Sequence, residues 1–298
     1  MTVGGRLFCM ETSRPLFPLP ARRRVPDSAF ARAYEAVDDS CMAALKTAIA
    51  GLFAMYPPRP GDAQKPRRQE WSLGWLDASF KETPLDFVIF LLPDSPISPL
   101  KLLAALVPAR TSGVRQVIVV RREAAKWEDE VLVALELAGQ EAVHVCDDSM
   151  ETRIAKSLGA SKSLGVVVDM AGDWAGFAQT PAVRCVRLAQ AAPLGVFYEG
   201  PEEFALRMIS RLHPDSGITV WNAPRKVRGM RHRSGDFETF LTQPYAAAFV
   251  PCHLRECAAS RFPLTLCPGA ETFWWWPRLL PADFSACRLS LLSGGRDG

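Results

Sequence analysis

Between residues 86 and 146 apolar residues alternate between two rhythms, one of strand length and one of helical spacing. Phe87-Val88-Ile89-Phe90-Leu91-Leu92 is an unbroken apolar run, as expected of a strand buried on both faces. Ser98-Pro99 then predicts a helix start, because a hydroxyl can cap free amides and proline is preset for the first turn. Leu100, Leu103, Leu106 and Val107 keep helical spacing until Gly113 supplies a stop. Val117-Ile118-Val119-Val120 reads as a second buried strand, residues 127–139 as a second amphipathic helix, and residues 142–145 as a third strand. Crossovers of this length force parallel pairing, so the fold class is α/β, with ligands expected at the carboxyl ends of the strands.

The flanking pattern is weaker. Residues 27–55 read as one helix, with Phe30, Tyr34, Val37, Leu45, Ile49 and Phe53 in phase and Pro57-Pro58 as terminator. Residues 59–68 read as a polar loop and 72–80 as a short extended segment. Further on, helices are expected at 150–158 and 201–212, and strands at 164–168, 183–186 and 218–221. From Phe273 onward the chain is rich in Trp and Pro and periodicity fades.

Composition narrows the picture. The chain has 298 residues, 48% of them hydrophobic, and a formal net charge of +3. That suffices for one or two cores and makes nucleic acid an unexpected partner. No apolar run reaches spanning length, so no membrane partner is expected. The eight cysteines contain no C-x-x-C pair, which reads as isolated thiols in a cytoplasmic protein. The basic run Arg225-Lys226, Arg228, Arg231-His232-Arg233 reads as a solvated helix face, with an anion or acidic partner as the alternative. His213 is expected to complement a helix dipole and His144 to be a core or edge residue. Trp274-Trp275-Trp276 reads as core filling, with an exposed interface anchor as the alternative.

Several patches, collinear from about residue 40 to residue 273, resemble histidinol dehydrogenase, a zinc-dependent enzyme family that uses NAD to oxidise L-histidinol to L-histidine. They are residues 43–56, Val107-Pro108-Ala109-Arg110 with Gly113-Val114 and the strand after it, 132–139, Leu212-His213-Pro214-Asp215-Ser216, and 249–273. The resemblance implies two related, incomplete Rossmann-like layers with parallel sheets. It divides the chain into an N-terminal arm and helical segment (1–80), a central Rossmann-like domain (81–190), and a second α/β segment with a Trp/Pro-rich end (191–298). It also implies a homodimer in which a C-terminal segment reaches the neighbouring subunit.

The same resemblance implies NAD and zinc, yet the matched positions carry other chemistry. The catalytic Glu-His pair is Asp215-Ser216 here, and a serine hydroxyl does not accept a proton near neutral pH. A later Asn-His falls on Phe262-Pro263. Two of the zinc positions keep oxygen donors, Gln190 and Glu256, and a third offers Pro193 for histidine. Two cofactor positions are Ser98 and Met150, and Asp147-Asp148 stands where glycines would approach a pyrophosphate. The expectation is a histidinol-dehydrogenase-like pseudoenzyme without a working NAD or zinc site, binding a small molecule or a partner near Gln190, Asp215 and Glu256. The alternatives are an active NAD-linked oxidoreductase rearranged around Asp215, His253 and Glu256, and a structural partner docking through its Trp-rich end.

Overall fold

The computed structural model describes residues 19–59, 63–172, 174, 180–188, 193–200 and 204–293. Two helices, α1 (Asp27–Ala36) and α2 (Asp39–Met55), open the chain. A single helix over 27–55 was expected. The chain breaks instead at Val37, which is extended, and Asp38 restarts the helix by accepting the Cys41 N–H at 3.0 Å. An aspartate whose oxygen bonds the third amide onward favours capping over continuation.

A hairpin of β1 (Arg67–Ser72) and β2 (Leu76–Pro84) follows, and then the predicted unit: β3 (Phe87–Leu91), α3 (Pro99–Thr111), β4 (Gln116–Arg122), α4 (Asp129–Leu137), β5 (Val143–Cys146), α5 (Asp148–Gly159), β6 (Gly165–Asp169) and β7 (Val183–Arg187). These strands form a parallel sheet ordered β5-β4-β3-β6-β7. Gly113, at φ 80°, ends α3 in the left-handed conformation that glycine adopts without strain. Gly165 lets β6 pass the Phe87 ring, since a Cβ there would meet that ring at 2.1 Å.

The second layer repeats the arrangement with β8 (Leu194–Phe197), α6 (Leu206–Leu212), β9 (Ile218–Trp221), β10 (Arg231–Arg233), α7 (Phe237–Leu241), β11 (Ala247–Phe249), α8 (Arg255–Ala259) and β12 (Thr265–Leu266). Its sheet is also parallel and ordered β10-β9-β8-β11-β12, so the first strand of each layer is central. The expected fold class, two related α/β layers with parallel sheets, is what the chain adopts. The basic run is not a helix face: Arg225, Lys226 and Arg228 lie in a loop and Arg231–Arg233 forms the edge strand β10. Leaving β9, Asn222 takes a positive φ and its side chain bonds Gly235, so the chain turns back into a strand rather than into a helix.

The main core runs through both layers and encloses α3, in which Arg110 is the one residue not buried. A helix apolar around nearly its whole circumference is stable only when covered on all sides. Two smaller cores cover the outer face of each sheet. The C-terminal end does not stay irregular. β13 (Ser285–Ser293) returns to pair antiparallel with β2, giving a three-stranded sheet ordered β1-β2-β13.

Candidate functional site between the two layers

The turn after β3 feeds directly into α3. Ser98 caps it, its Oγ accepting the Lys101 N–H at 3.2 Å, and Pro99 occupies the first helical position as the sequence predicts. Lys101 therefore projects from the first turn of a helix held between two layers, and its side chain is 0% exposed. A buried ammonium needs a partner. The turn between α6 and β9 provides it: Lys101 Nζ donates to Asp215 Oδ2 at 2.9 Å and to Ser216 Oγ at 2.7 Å. Ser216 in turn donates to Asp215 Oδ1 at 3.2 Å. The Trp274 ring lies 5.0 Å from Nζ, and Trp276 Nε1 donates to the Lys101 carbonyl at 2.9 Å. Burial pulls the Lys101 pKa down, against the opposing pull of Asp215.

His213 sits beside this set. Its N–H bonds the Ile209 carbonyl at the end of α6, and its Nδ1 lies 3.2 Å from Ser98 Oγ. The ring packs tilted against Trp274 at 5.4 Å, and Nε2 has no hydrogen-bond partner among the described residues. Burial first, then the charge of Lys101, hold its pKa at about 3. The imidazole is neutral, so the expected dipole role does not apply: a ring without charge has nothing to offer a helix C-terminus.

Of the sequence-predicted site residues, Ser98, Asp215 and Ser216 converge, joined through Lys101. Lys101 itself escaped the sequence reading, although a lone lysine between Leu100 and Leu102 in a helix apolar as far as Ala109 calls for a buried anion. The other residues lie elsewhere. Met150 is buried in the core outside the first sheet, its N–H donated to Asp147. His253 contacts Glu199 at 2.6 Å with its side chain 65% exposed. Glu256 is 89% exposed and lies 3.7 Å from Arg255. The expected gathering of Asp215 with His253 and Glu256 is thus corrected: Asp215 is buried beside Lys101 and Trp274, while His253 and Glu256 lie exposed after β11, His253 in a short turn of helix and Glu256 in α8. Gln190 lies outside the described residues, and Pro193, exposed just before β8, accepts the Ala246 N–H at 2.9 Å. Trp274 and Trp276 are core residues, as expected, and Trp275 packs partly against the same core.

The described residues fit neither implied group. The first turn of α3 is sealed by the second layer, and the N-terminus of α5 is taken by its own Asp147 cap, itself paired with Arg23. At the end of β3, where strand order reverses, Trp174 is buried with Nε1 bonded to the Leu92 carbonyl and Arg122 stacked on its ring at 4.6 Å. Among the described residues a pyrophosphate has no open helix terminus to meet there. Among the described residues, no group of three or more His, Cys, Asp or Glu could hold a metal ion. Nor is any described helix long and apolar enough to cross a membrane.

Two parallel sheets, each wound outward from a central first strand, define the class: a doubly wound α/β protein of two layers. No protein-family model matches the chain, and no curated protein does. Among solved structures it is similar to histidinol dehydrogenase from Elizabethkingia anophelis, with a TM-score of 0.56 over 91% of this chain and 77% of that one, at 10% identity. A NAD-dependent benzaldehyde dehydrogenase from Corynebacterium glutamicum also matches, with a TM-score of 0.49 over 89% and 84% at 10% identity. So does succinate-semialdehyde dehydrogenase from Burkholderia pseudomallei, with a TM-score of 0.48 over 90% and 84% at 9% identity. What is shared with histidinol dehydrogenase at such identity is the fold alone.

Proposed function

We propose that this chain is a pseudoenzyme: a dehydrogenase-fold, histidinol-dehydrogenase-like protein that binds a small molecule or partner and does not transfer hydride. The observation that carries this reading is the sealing of the interlayer set. Ser98, Lys101 and His213 are almost completely buried, and Lys101 is committed to Asp215. Proton removal from an alcohol needs a base within hydrogen-bond reach of the substrate. His213 is neutral but enclosed, and Asp215 is neutralised by its lysine. A cavity of about 240 Å³ against Leu188, Leu264 and Trp274–Trp276, with Arg187 and Arg278 among its walls, supports retained binding of a small apolar ligand bearing negative charge.

The test is a paired assay on the intact chain. Incubation with NAD, zinc and L-histidinol or related amino alcohols is expected to give a flat trace at the NADH absorbance. A thermal-shift screen of nucleotides, imidazoles and small aromatic carboxylates such as benzoate is expected to raise the melting temperature with at least one of them. Steady NADH production would overturn the pseudoenzyme reading, and a screen without a hit would remove its small-molecule part.

A further inference from the structure

The fold leaves the cations around the exit of β9 without counter-charge. Among the described residues Arg207, Arg225, Lys226, Arg228 and Arg231 have no carboxylate partner. Elsewhere the chain neutralises its arginines: Arg59 pairs with Glu82, Arg121 with Glu128 and Arg211 with Glu130. A concave surface lined by one sign of charge concentrates ions of the other sign.

Three of these cations, Arg207, Arg225 and Lys226, share the wall of one cleft of about 640 Å³. The cleft lies at the carboxyl ends of β8 and β9, between the start of α6 and the loop 224–227. Doubly wound parallel sheets present their ligand crevices at that end. The wall opposite the cations is apolar: Tyr198 and Phe204 are buried there, packed edge to face with ring centroids 5.5 Å apart. Both sides are tied to the sheet. The Tyr198 hydroxyl donates to the Phe204 carbonyl at 3.0 Å, and the Val227 N–H donates to Nε2 of His232 on β10 at 3.0 Å. Arg225 and Lys226 are therefore carried on an anchored loop.

We infer that this cleft is a binding site for a small phosphate monoester carried on a flat apolar body. A guanidinium presents paired donors that match phosphate oxygens, and two of them with an ammonium balance a dianion. A phosphate monoester carries about 1.5–2 negative charges near pH 7, whereas a carboxylate carries one. The Tyr198 and Phe204 side suits a ring, and the volume lies within the roughly 300–1,000 Å³ of small-ligand pockets. The cations converge on a concave site in a chain whose net charge is only +3, which favours a small anion over a long polyanion. The cleft shares no residue with the interlayer cavity, so the inference is independent of the function proposed above.

The experiment is titration calorimetry on the full chain with phenyl phosphate and adenosine monophosphate, and with adenosine as the uncharged counterpart. Both phosphates are expected to bind, and adenosine at least about tenfold more weakly than its monophosphate. Arg225→Gln combined with Lys226→Gln should weaken both phosphates at least about tenfold with the melting temperature retained, because exposed charge-assisted contacts are removed and no packing is. Arg278→Gln, in the wall of the interlayer cavity, should leave them unchanged. Absence of binding by both phosphates overturns the inference, as does a double variant that binds like the wild type or adenosine that binds as tightly as its monophosphate. Binding lost in Arg278→Gln and kept in the double variant also overturns it, while leaving the interlayer reading standing. An oligouridylate that binds more than about tenfold tighter than adenosine monophosphate, and loses that affinity in the double variant, would replace the small ligand with a nucleic acid and so overturn it too.

Discussion

Two histidines at opposite ends of the second sheet show how burial decides what one side chain can do. His213 precedes β9, at the amino end of the sheet, enclosed between Ser98, Trp274 and Phe249. His253 follows β11, at the carboxyl end, in solvent beside Glu199. The enclosed ring is held neutral and its neighbours Lys101 and Asp215 are locked to one another. The exposed ring keeps a carboxylate at contact distance, yet in water, where such a pair contributes little. The residue types of an acid/base centre are present at both ends. Neither end combines a titratable group with a sheltered approach for substrate.

The largest expected effect comes from opening the buried pair. Lys101→Ala leaves the Asp215 carboxylate, 4% exposed, without its cation. Loss of one partner of a buried ion pair costs about 3–5 kcal/mol. Urea unfolding should record that loss as a lower midpoint with unchanged slope. Lys101→Met combined with Asp215→Leu removes both charges and should recover most of the stability, because such a replacement is often neutral or favourable. If the double variant were as unstable as the single one, the pair would be doing more than neutralising itself, and the contrast with the exposed pair would need a different basis.

A smaller effect follows from His213 by titration. Its folded pKa of about 3 lies below the ordinary value of 6.5. Between those values the unfolded chain binds a proton that the folded chain refuses, so stability rises with pH there. The contribution is complete above pH 6.5 and is lost as pH falls toward 3, reaching roughly 2 kcal/mol of loss by pH 5. His144, held at about 4 mainly by burial, adds to the slope in the same direction. Unfolding midpoints at pH 7 and pH 5 should therefore fall further apart in the wild type than in His213→Asn. Equal separations in the two proteins would show that His213 is protonated in the folded state.

How much of this could be read in the sequence depended on how local the signal was. The run from β3 to β5 was legible because each strand is apolar on both faces and each crossover carries its own start and stop, Ser98-Pro99 and Gly113 among them. β1 and β13 were not. All but one of their residues lie at or near the surface, so no burial pattern marked them, and the pairing of β13 with β2 joins segments about two hundred residues apart. The break between α1 and α2 was hidden because Val37 keeps helical phase while Asp38 supplies the cap. Within the site, Ser98, Asp215 and Ser216 were found by resemblance, but their common partner Lys101 was not. Its meaning lies in the burial of α3 on every side, which no local window contains. The fold was therefore more legible than the site, since periodicity reports burial and says little about which buried charges meet.

The smallest expected effect belongs to the exposed end. His253→Ala removes a contact whose two side chains are 65% and 42% exposed. Water and salt screen such a pair, and holding two mobile side chains together costs entropy, so the change in stability should stay within about 1 kcal/mol. Raising the salt concentration should shrink even that difference, whereas the loss caused by Lys101→Ala should persist, because ions do not enter the space between α3 and β9. Parallel urea titrations of both variants at low and high salt would measure this directly. A salt-independent loss of several kcal/mol at His253 would place a second buried polar centre at the carboxyl end of the sheet. The difference between the two histidines would then be one of degree only.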